Sequence, residues 1–280
     1  MGVDTRIVVY ASSESVAQKA CAAAFERIAD LEAIMSDYRP NSELMKLSDT
    51  AVSAPVKISP DLFTVLWKAQ AMSRRTSGYF DVTVGPIVRL WRKARKTGKL
   101  PSPKEVADAV RRVGWQKVTL DPDLRTVRLA IPGMQLDLGA IGKGYADDEA
   151  QKVLRKFGIT RALVDMGGDI VFSDPPPGKK GWKVEVPNAH RNMLLANCAI
   201  SSSGDTEEYV IIGGHRYSHV VDPHTGQALT NRVQATVIAH EGLTTDPLGT
   251  ALTLLDPKAR KRLLAAYPDA RAFVKIDQFE

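Results

Sequence analysis

Four segments of this 280-residue chain carry residue types that do chemistry. The first is Asp137-Leu138-Gly139-Ala140-Ile141-Gly142-Lys143-Gly144-Tyr145. Its glycines let backbone approach a ligand, and a helix starting there points unbonded N–H groups and a positive dipole end outward. Lys143 adds a point charge suited to phosphate. The segment matches neither the P-loop pattern nor the dinucleotide G-x-G-x-x-G fingerprint, so a plain strand-to-helix turn stays open. The second runs from Arg216 to Gly226, with His219 on a strand entering the turn at Asp222-Pro223 and Thr225-Gly226. Imidazole titrates near neutrality and can take a proton from an attacking hydroxyl, although a lone histidine is more often structural. Zinc on His215, His219 and His224 is disfavoured, because their spacing crosses a strand and a turn.

The third segment is Thr244 to Ala251. Asp246 before Pro247 reads as an N-cap followed by the first helical residue. Alternatively, Asp246 and Thr250 are four apart and project from one side of the helix start. A carboxylate and a hydroxyl there make a partial shell for Mg²⁺, which takes oxygen ligands and leaves places for water and phosphate. Asp137 or a backbone carbonyl of the glycine turn would complete it. The fourth is Ser77 to Pro86, followed by Leu90-Trp91. Tyr79 and Phe80 beside Asp81 can stack on and hydrogen-bond a flat ring, or can equally be core.

Periodicity predicts the elements that hold these segments. Ile7 to Tyr10 reads as a first strand. Val16, Ala20, Ala24, Ile28, Leu31 and Met35 make one apolar helix face, and Leu62, Val65, Leu66, Ala69 and Met72 make another. Ser102 to Glu105 is a capping box with proline at the first helical position, and Gly114 closes that helix. The basic stretch Arg92 to Lys99 reads as a solvated helix end or loop. Strands are expected at 117–120 and 126–131 around Asp121-Pro122-Asp123, then a helix from the glycine turn to a left-handed cap at Gly158. Leu163-Val164-Asp165 runs into Gly167-Gly168, and Asp174 to Gly181 can only be a surface loop. Strands at 182–186, 198–201, 209–212 and 233–240 make the second half β-rich. Helices at 247–255 and 257–266 and a strand at 272–276 close the chain. Without a βαβ rhythm, the fold class is α+β.

Hydrophobic residues at 44% and charged residues at 25% exclude disorder and fibre. No apolar run approaches the ~18–20 residues of a membrane helix. Cys21 and Cys198 are too few for a disulfide scaffold or a cysteine-rich zinc site. The net charge of +6 suits an anionic small molecule as well as nucleic acid, and no stretch singles out the latter. Residues 1–10 show no secretory pattern, so the expectation is a cytosolic protein or one shown after trimming.

Seven blocks in order carry a resemblance: Met35-Ser36-Asp37-Tyr38 with Ser42-Glu43-Leu44, Gly78 to Pro86, Asp137 to Gly144, Gly167-Gly168-Asp169, Ser203-Gly204-Asp205, Tyr217 to Pro223, and Asp246 to Ala251. Together they resemble the ApbE family of FAD:protein FMN transferases over nearly the whole chain. The resemblance implies a single two-lobed α+β (T-fold-like) domain over residues 1–280, with mixed, largely antiparallel sheets and FAD in the inter-lobe cleft. It implies Mg²⁺ at the pyrophosphate, held by the Ala140 carbonyl, Asp246 and Thr250. It implies FAD contacts from Met35, Tyr79, Phe80, Asp81, Asp137, Lys143 and Val220, and His219 as the catalytic histidine. The implied reaction moves FMN from FAD to a threonine or serine of a target protein and releases AMP. Hydrolysis of FAD to FMN and AMP, or flavin binding without catalysis, are the alternatives. Relatives usually act outside the bacterial cytoplasm, so a periplasmic location is expected. Departures from the family pattern are Pro247, Gly249 in place of an acidic residue, and Glu207-Glu208 in place of tyrosine and arginine. The missing carboxylate at 249 is expected to lower metal affinity.

Overall fold

The computed structural model describes residues 2–189, 191–204 and 209–277. The first half is helical: β1 (Thr5–Tyr10), α1 (Glu14–Met35), α2 (Glu43–Thr50), β2 (Val56–Lys57), α3 (Pro60–Arg75), α4 (Gly85–Thr97) and α5 (Pro103–Val110). Then come β3 (Val118–Asp121), β4 (Thr126–Leu129), α6 (Gly142–Lys156), β5 (Arg161–Met166), β6 (Asp169–Phe172), β7 (Trp182–Val186), β8 (Arg191–Leu195) and β9 (Cys198–Gly204). The chain ends with β10 (Tyr209–Ile212), β11 (His215–Ser218), β12 (Arg232–Ala239), α7 (Gly242–Leu254), α8 (Pro257–Ala265) and β13 (Arg271–Asp277). Among the described residues no helix is long and apolar enough to cross a membrane.

The central sheet has the order β1-β5-β6-β9-β12-β13, and every neighbouring pair is antiparallel. Strand alternation sorts its two faces. Ala162, Val164 and Met166 of β5 and Ala235 and Val237 of β12 turn toward α1, α3, α6 and α7. Leu163 and Ile238 turn the other way and pack with Phe172, Trp182, Val186 and Leu195, so the β7–β8 hairpin covers the second face. Burying side chains such as Leu31, Leu62 and Leu66 is worth ~1.5–3 kcal/mol each, which outweighs differences in helix propensity. A third cluster joins Ile87, Trp91 and Ala94 of α4 to Ala109, Val113, Val221 and Ala228.

The expected apolar faces of α1 and α3 are the buried ones. The Ser102–Glu105 capping box is present, but α5 ends at Val110 and Gly114 follows one further turn. Three differences have local causes. α2 starts on Ser42, whose Oγ accepts the Met45 N–H at 3.1 Å, a cap on a helix too short to show periodicity. α4 begins at Gly85 behind Val84, which offers no side-chain cap, so nothing polar marks its start. α7 begins at Gly242, not at Pro247.

Candidate active site

The site grows from the crossing of α6 and α7. The Leu138 carbonyl accepts the N–H groups of Ile141 and Gly142 at 3.1 and 2.8 Å, which folds the glycine turn into the start of α6. A side chain at Gly144 would run into the Gly242 carbonyl, so the two helix starts meet backbone to backbone. The start of α7 is capped from the neighbouring helix: Asp148 Oδ1 and Oδ2 accept the Gly242 and Leu243 N–H groups, each at 2.8 Å. This corrects the reading of Asp246 as an N-cap. Asp246 lies in the second turn of α7, with Pro247 inside the helix, where the ring removes one backbone donor. Two hydroxyl pairs, Ser201–Thr245 at 2.8 Å and Ser203–Thr250 at 3.2 Å, fasten α7 to β9.

Lys143 lies between carboxylates from three elements. Its Nζ is 2.7 Å from Asp169 Oδ2 and 3.7 Å from Asp246 Oδ1, while Asp246 Oδ2 accepts the Gly144 N–H at 3.2 Å. Asp147 has no solvent exposure, and neither of its carboxylate oxygens has a hydrogen-bond partner. Burial pushes the Asp246 carboxyl up to about 7; Lys143 opposes the shift and Asp169 adds to it. Burial, then Asp169, hold the Asp147 carboxyl well above its usual range. For Lys143 burial works against the charge, but Asp246 and Asp169 outweigh it and raise the ammonium above its ordinary value.

Three buried acids around one lysine would leave a negative surplus once ionised, and a divalent cation would supply the positive charge that lets them ionise. Among the described residues no three His, Cys, Asp or Glu side chains converge on one metal position. A cation shell here would need oxygens other than carboxylates, and the Ala140, Asp246 and Thr250 set that the resemblance implies is of that kind. A side chain at Gly249 would come within 2.9 Å of Ser203 Oγ, so a carboxylate there would displace the hydroxyl paired with Thr250.

Asp137 is held differently. Its Oδ1 accepts the Gly139 N–H at 2.8 Å, and its Oδ2 pairs with Arg92 at 3.1 Å. Arg92 also pairs with Asp37 and lies 4.3 Å above the Tyr38 ring. The basic stretch is thus the end of α4 as expected, except that Arg92 turns inward. The Asp137 N–H donates to the Val82 carbonyl at 2.8 Å, which docks the Tyr79–Asp81 segment beside the glycine turn. Asp81 is buried. Its oxygens accept Thr83 N–H, Thr83 hydroxyl and Trp115 N–H at 2.7–2.8 Å, so it fixes its own turn. Met35 and Phe80 are buried in the main core, whereas Tyr79 is 36% exposed, with the His224 ring 4.5 Å away. His219 follows β11 and is half-buried; Ser218 Oγ accepts the N–H of buried Val220 at 3.0 Å.

The structure thus brings Lys143 to Asp246 at the helix crossing, with Thr250 one turn further along α7 against Ser203, and sets Asp137 with Tyr79 to Asp81 beside the glycine turn. It is His224, five residues after His219, that meets Tyr79. Sequence reading missed Asp147, although its i+4 spacing from Lys143 was a usable signal, and gave Arg92, Asp37 and Asp169 no role. Asp205, Glu207 and Glu208 lie outside the described residues.

The ApbE family model matches residues 1–274. The chain is 32% identical over 257 residues to the FAD:protein FMN transferase of Haemophilus influenzae, covering 85% of this chain and 74% of that protein. It is 29% identical over 269 residues to the one from Treponema pallidum, covering 89% and 74%. A histidine-to-glycine variant of the flavin transferase ApbE from Vibrio cholerae superposes with a TM-score of 0.87 at 27% identity, over 99% of this chain and 92% of that one. The ApbE protein of Thermotoga maritima gives 0.87 at 27% identity, over 100% and 94%.

Proposed function

The chain belongs to the ApbE family, and from that premise we propose that it transfers FMN from FAD to a threonine or serine hydroxyl of a partner protein, releasing AMP. The observation that carries this reading is the Lys143 ammonium, surrounded by Asp147, Asp169 and Asp246 where two helix starts meet. Such a place would suit a divalent cation first and, through that cation, a diphosphate whose charge must be neutralised before an oxygen nucleophile can approach.

Ala140 through its carbonyl, Asp246 and Thr250 would hold Mg²⁺, which when bound supplies charge neutralisation along the diphosphate. Lys143 and the first N–H groups of α6 add fixed positive charge beside the same oxygens. Asp169 keeps Lys143 in place and charged. His219 acts as general base: it takes the hydroxyl proton as that oxygen bonds to the FMN phosphorus. The bond from that phosphorus to the AMP phosphate oxygen breaks, and AMP leaves with the electron pair. Such assistance is typically worth ~10²–10⁴-fold in rate. Tyr79 offers an exposed ring face for the flavin, while Met35, Phe80 and Val220, all buried, would act from behind the surface. Asp81 and Asp137 hold the turns that border it.

The test incubates the full chain with FAD, Mg²⁺ and a purified flavin-acceptor domain and weighs the products. FMN on the acceptor plus AMP supports transfer. Free FMN plus AMP makes the chain a pyrophosphatase, and unchanged FAD makes it a flavin-binding protein.

A further inference from the structure

One segment of the chain has a net positive charge larger than that of the whole molecule. Between Arg89 and Lys117 there are ten Lys and Arg residues against only Glu105 and Asp108, a local balance of +8 in a chain of net +6. The rest of the sequence is therefore slightly acidic. α4 has no acidic residue at all, and it buries Ile87, Trp91 and Ala94 while Arg89, Arg92, Lys93, Arg95 and Lys96 occupy its other side. Lys93, Lys96, Lys99 and Lys104 are exposed, and among the described residues only Lys93 of these four has a carboxylate partner, Glu105 at 3.5 Å.

Beside these lysines lies a groove of about 430 Å³ lined by Pro101, Pro103, Val106, Val110, His224 and Thr225. Two links join this face to the active site. The Trp91 indole N–H donates to the Gly226 carbonyl at 2.9 Å, in the turn that follows His219. Arg92 reaches Asp137, three residues ahead of Ala140. The apolar side of α4 is committed to the core, so this helix cannot lay it into a bilayer as interfacial helices do. In the transfer reading the diphosphate of FAD is served by Lys143 and the cation beside it. What remains exposed is a cluster of lysines next to a groove of side-chain size, on the border of a site that must receive a protein.

We propose that this α4–α5 face docks the acceptor protein through an acidic segment, an inference that rests on the transfer reading above. Carboxylates of that segment meet Lys93, Lys96, Lys99 and Lys104, and one of its apolar side chains enters the Pro101–Val110 groove. Exposed charges of this kind act mainly on encounter rate and are screened by salt.

The test is FMN transfer measured against the concentration of a purified flavin-acceptor domain, with a second domain whose carboxylates near the modified hydroxyl are changed to amides. The triple variant Lys96→Glu, Lys99→Glu, Lys104→Glu is compared with the unmodified enzyme. The acceptor KM is expected to rise about tenfold or more, with kcat and the KM for FAD unchanged. The amide acceptor should lose a similar factor on the unmodified enzyme and little on the variant. Added salt should weaken only the unmodified pair. An unchanged acceptor KM overturns the proposal, as does a change confined to the KM for FAD, which would make the face a funnel for the nucleotide. Charge-dependent recruitment to phosphatidylglycerol vesicles with unaltered acceptor kinetics overturns it in favour of a membrane. If the unmodified enzyme transfers nothing to either domain, the transfer reading fails first and the docking proposal falls with it.

Discussion

Gly144 and Gly242 stand in backbone contact: a Cβ on Gly144 would fall 2.1 Å from the Gly242 carbonyl oxygen. Helices come this close only with no side chain between them, and the closeness is what brings the Gly144 N–H to Asp246. Gly144→Ala must push α6 and α7 apart, because the obstructing atom is backbone and cannot swing away. The expected cost is at or above the upper end of the ~1–3 kcal/mol range for overpacking. That corresponds to a melting temperature lower by about 5 °C or more, with transferase turnover lost well below the melting range. A variant that melts and turns over like its parent would refute the contact.

Asp148 caps α7 from α6, and burial pushes its carboxyl up to about 6 against the two N–H bonds that favour its charge. Its folded-state pKa thus lies above the ordinary 3.8, so the folded protein holds the proton more tightly than the unfolded chain. The resulting stabilisation is full below about pH 4 and is lost as pH rises through about 6. Asp148→Asn removes that slope and one of the two acceptors. At pH 4.5, where the folded parent is itself protonated, the variant should match it, and by pH 8 it should exceed the parent. Denaturant unfolding at the two pH values checks this; a constant difference would contradict it.

The same residue shows why the sequence was only partly legible. Helix faces with long periodic runs, as in α1 and α3, could be read residue by residue, because their partners are the core. The start of α7 could not, since its cap comes from Asp148, far away in sequence, while Asp246-Pro247 imitates a local start. Candidate residues with a chemical pattern, such as Lys143 and Asp246, were visible. Arg92 was not, because a basic run looks solvated until its partners Asp37 and Asp137 are brought to it by the fold.

Lys143→Met would leave Asp147, Asp169 and Asp246 buried with no cation among them. Removing one partner of a buried ion pair typically costs ~3–5 kcal/mol. Mg²⁺ should then raise the melting temperature of the variant more than that of the parent, because it restores the missing positive charge. Catalysis should remain impaired even at saturating Mg²⁺, because in the proposed reaction the ammonium also serves the diphosphate. Equal Mg²⁺ shifts in the two proteins would remove the cation from this cluster.

His219→Ala separates binding from chemistry. The half-buried ring follows β11 rather than lying in the core, so its loss leaves the hydrophobic clusters intact. FAD affinity, followed by isothermal titration, should stay within about twofold, while transfer falls by about 10²–10⁴-fold. Full transfer by the purified variant would remove His219 from the reaction.

Arg92 closes the set because it holds two carboxylates with one guanidinium. Burial works against its charge, yet Asp137 and Asp37 outweigh that and raise it above its ordinary value. Lysine carries a single compact ammonium and cannot span both acids with the planar fork that also covers the Tyr38 ring. Arg92→Lys should therefore keep only part of the bridge and lose about 1–2 kcal/mol, against ~3–5 for Arg92→Met, which strands Asp137 with 9% of its side chain exposed. The loosened acid borders the glycine turn through Gly139, so the KM for FAD should climb in the same order while kcat at saturation persists. If both variants melt alike and bind FAD alike, Arg92 holds nothing, and the turn is fixed by its backbone bonds alone.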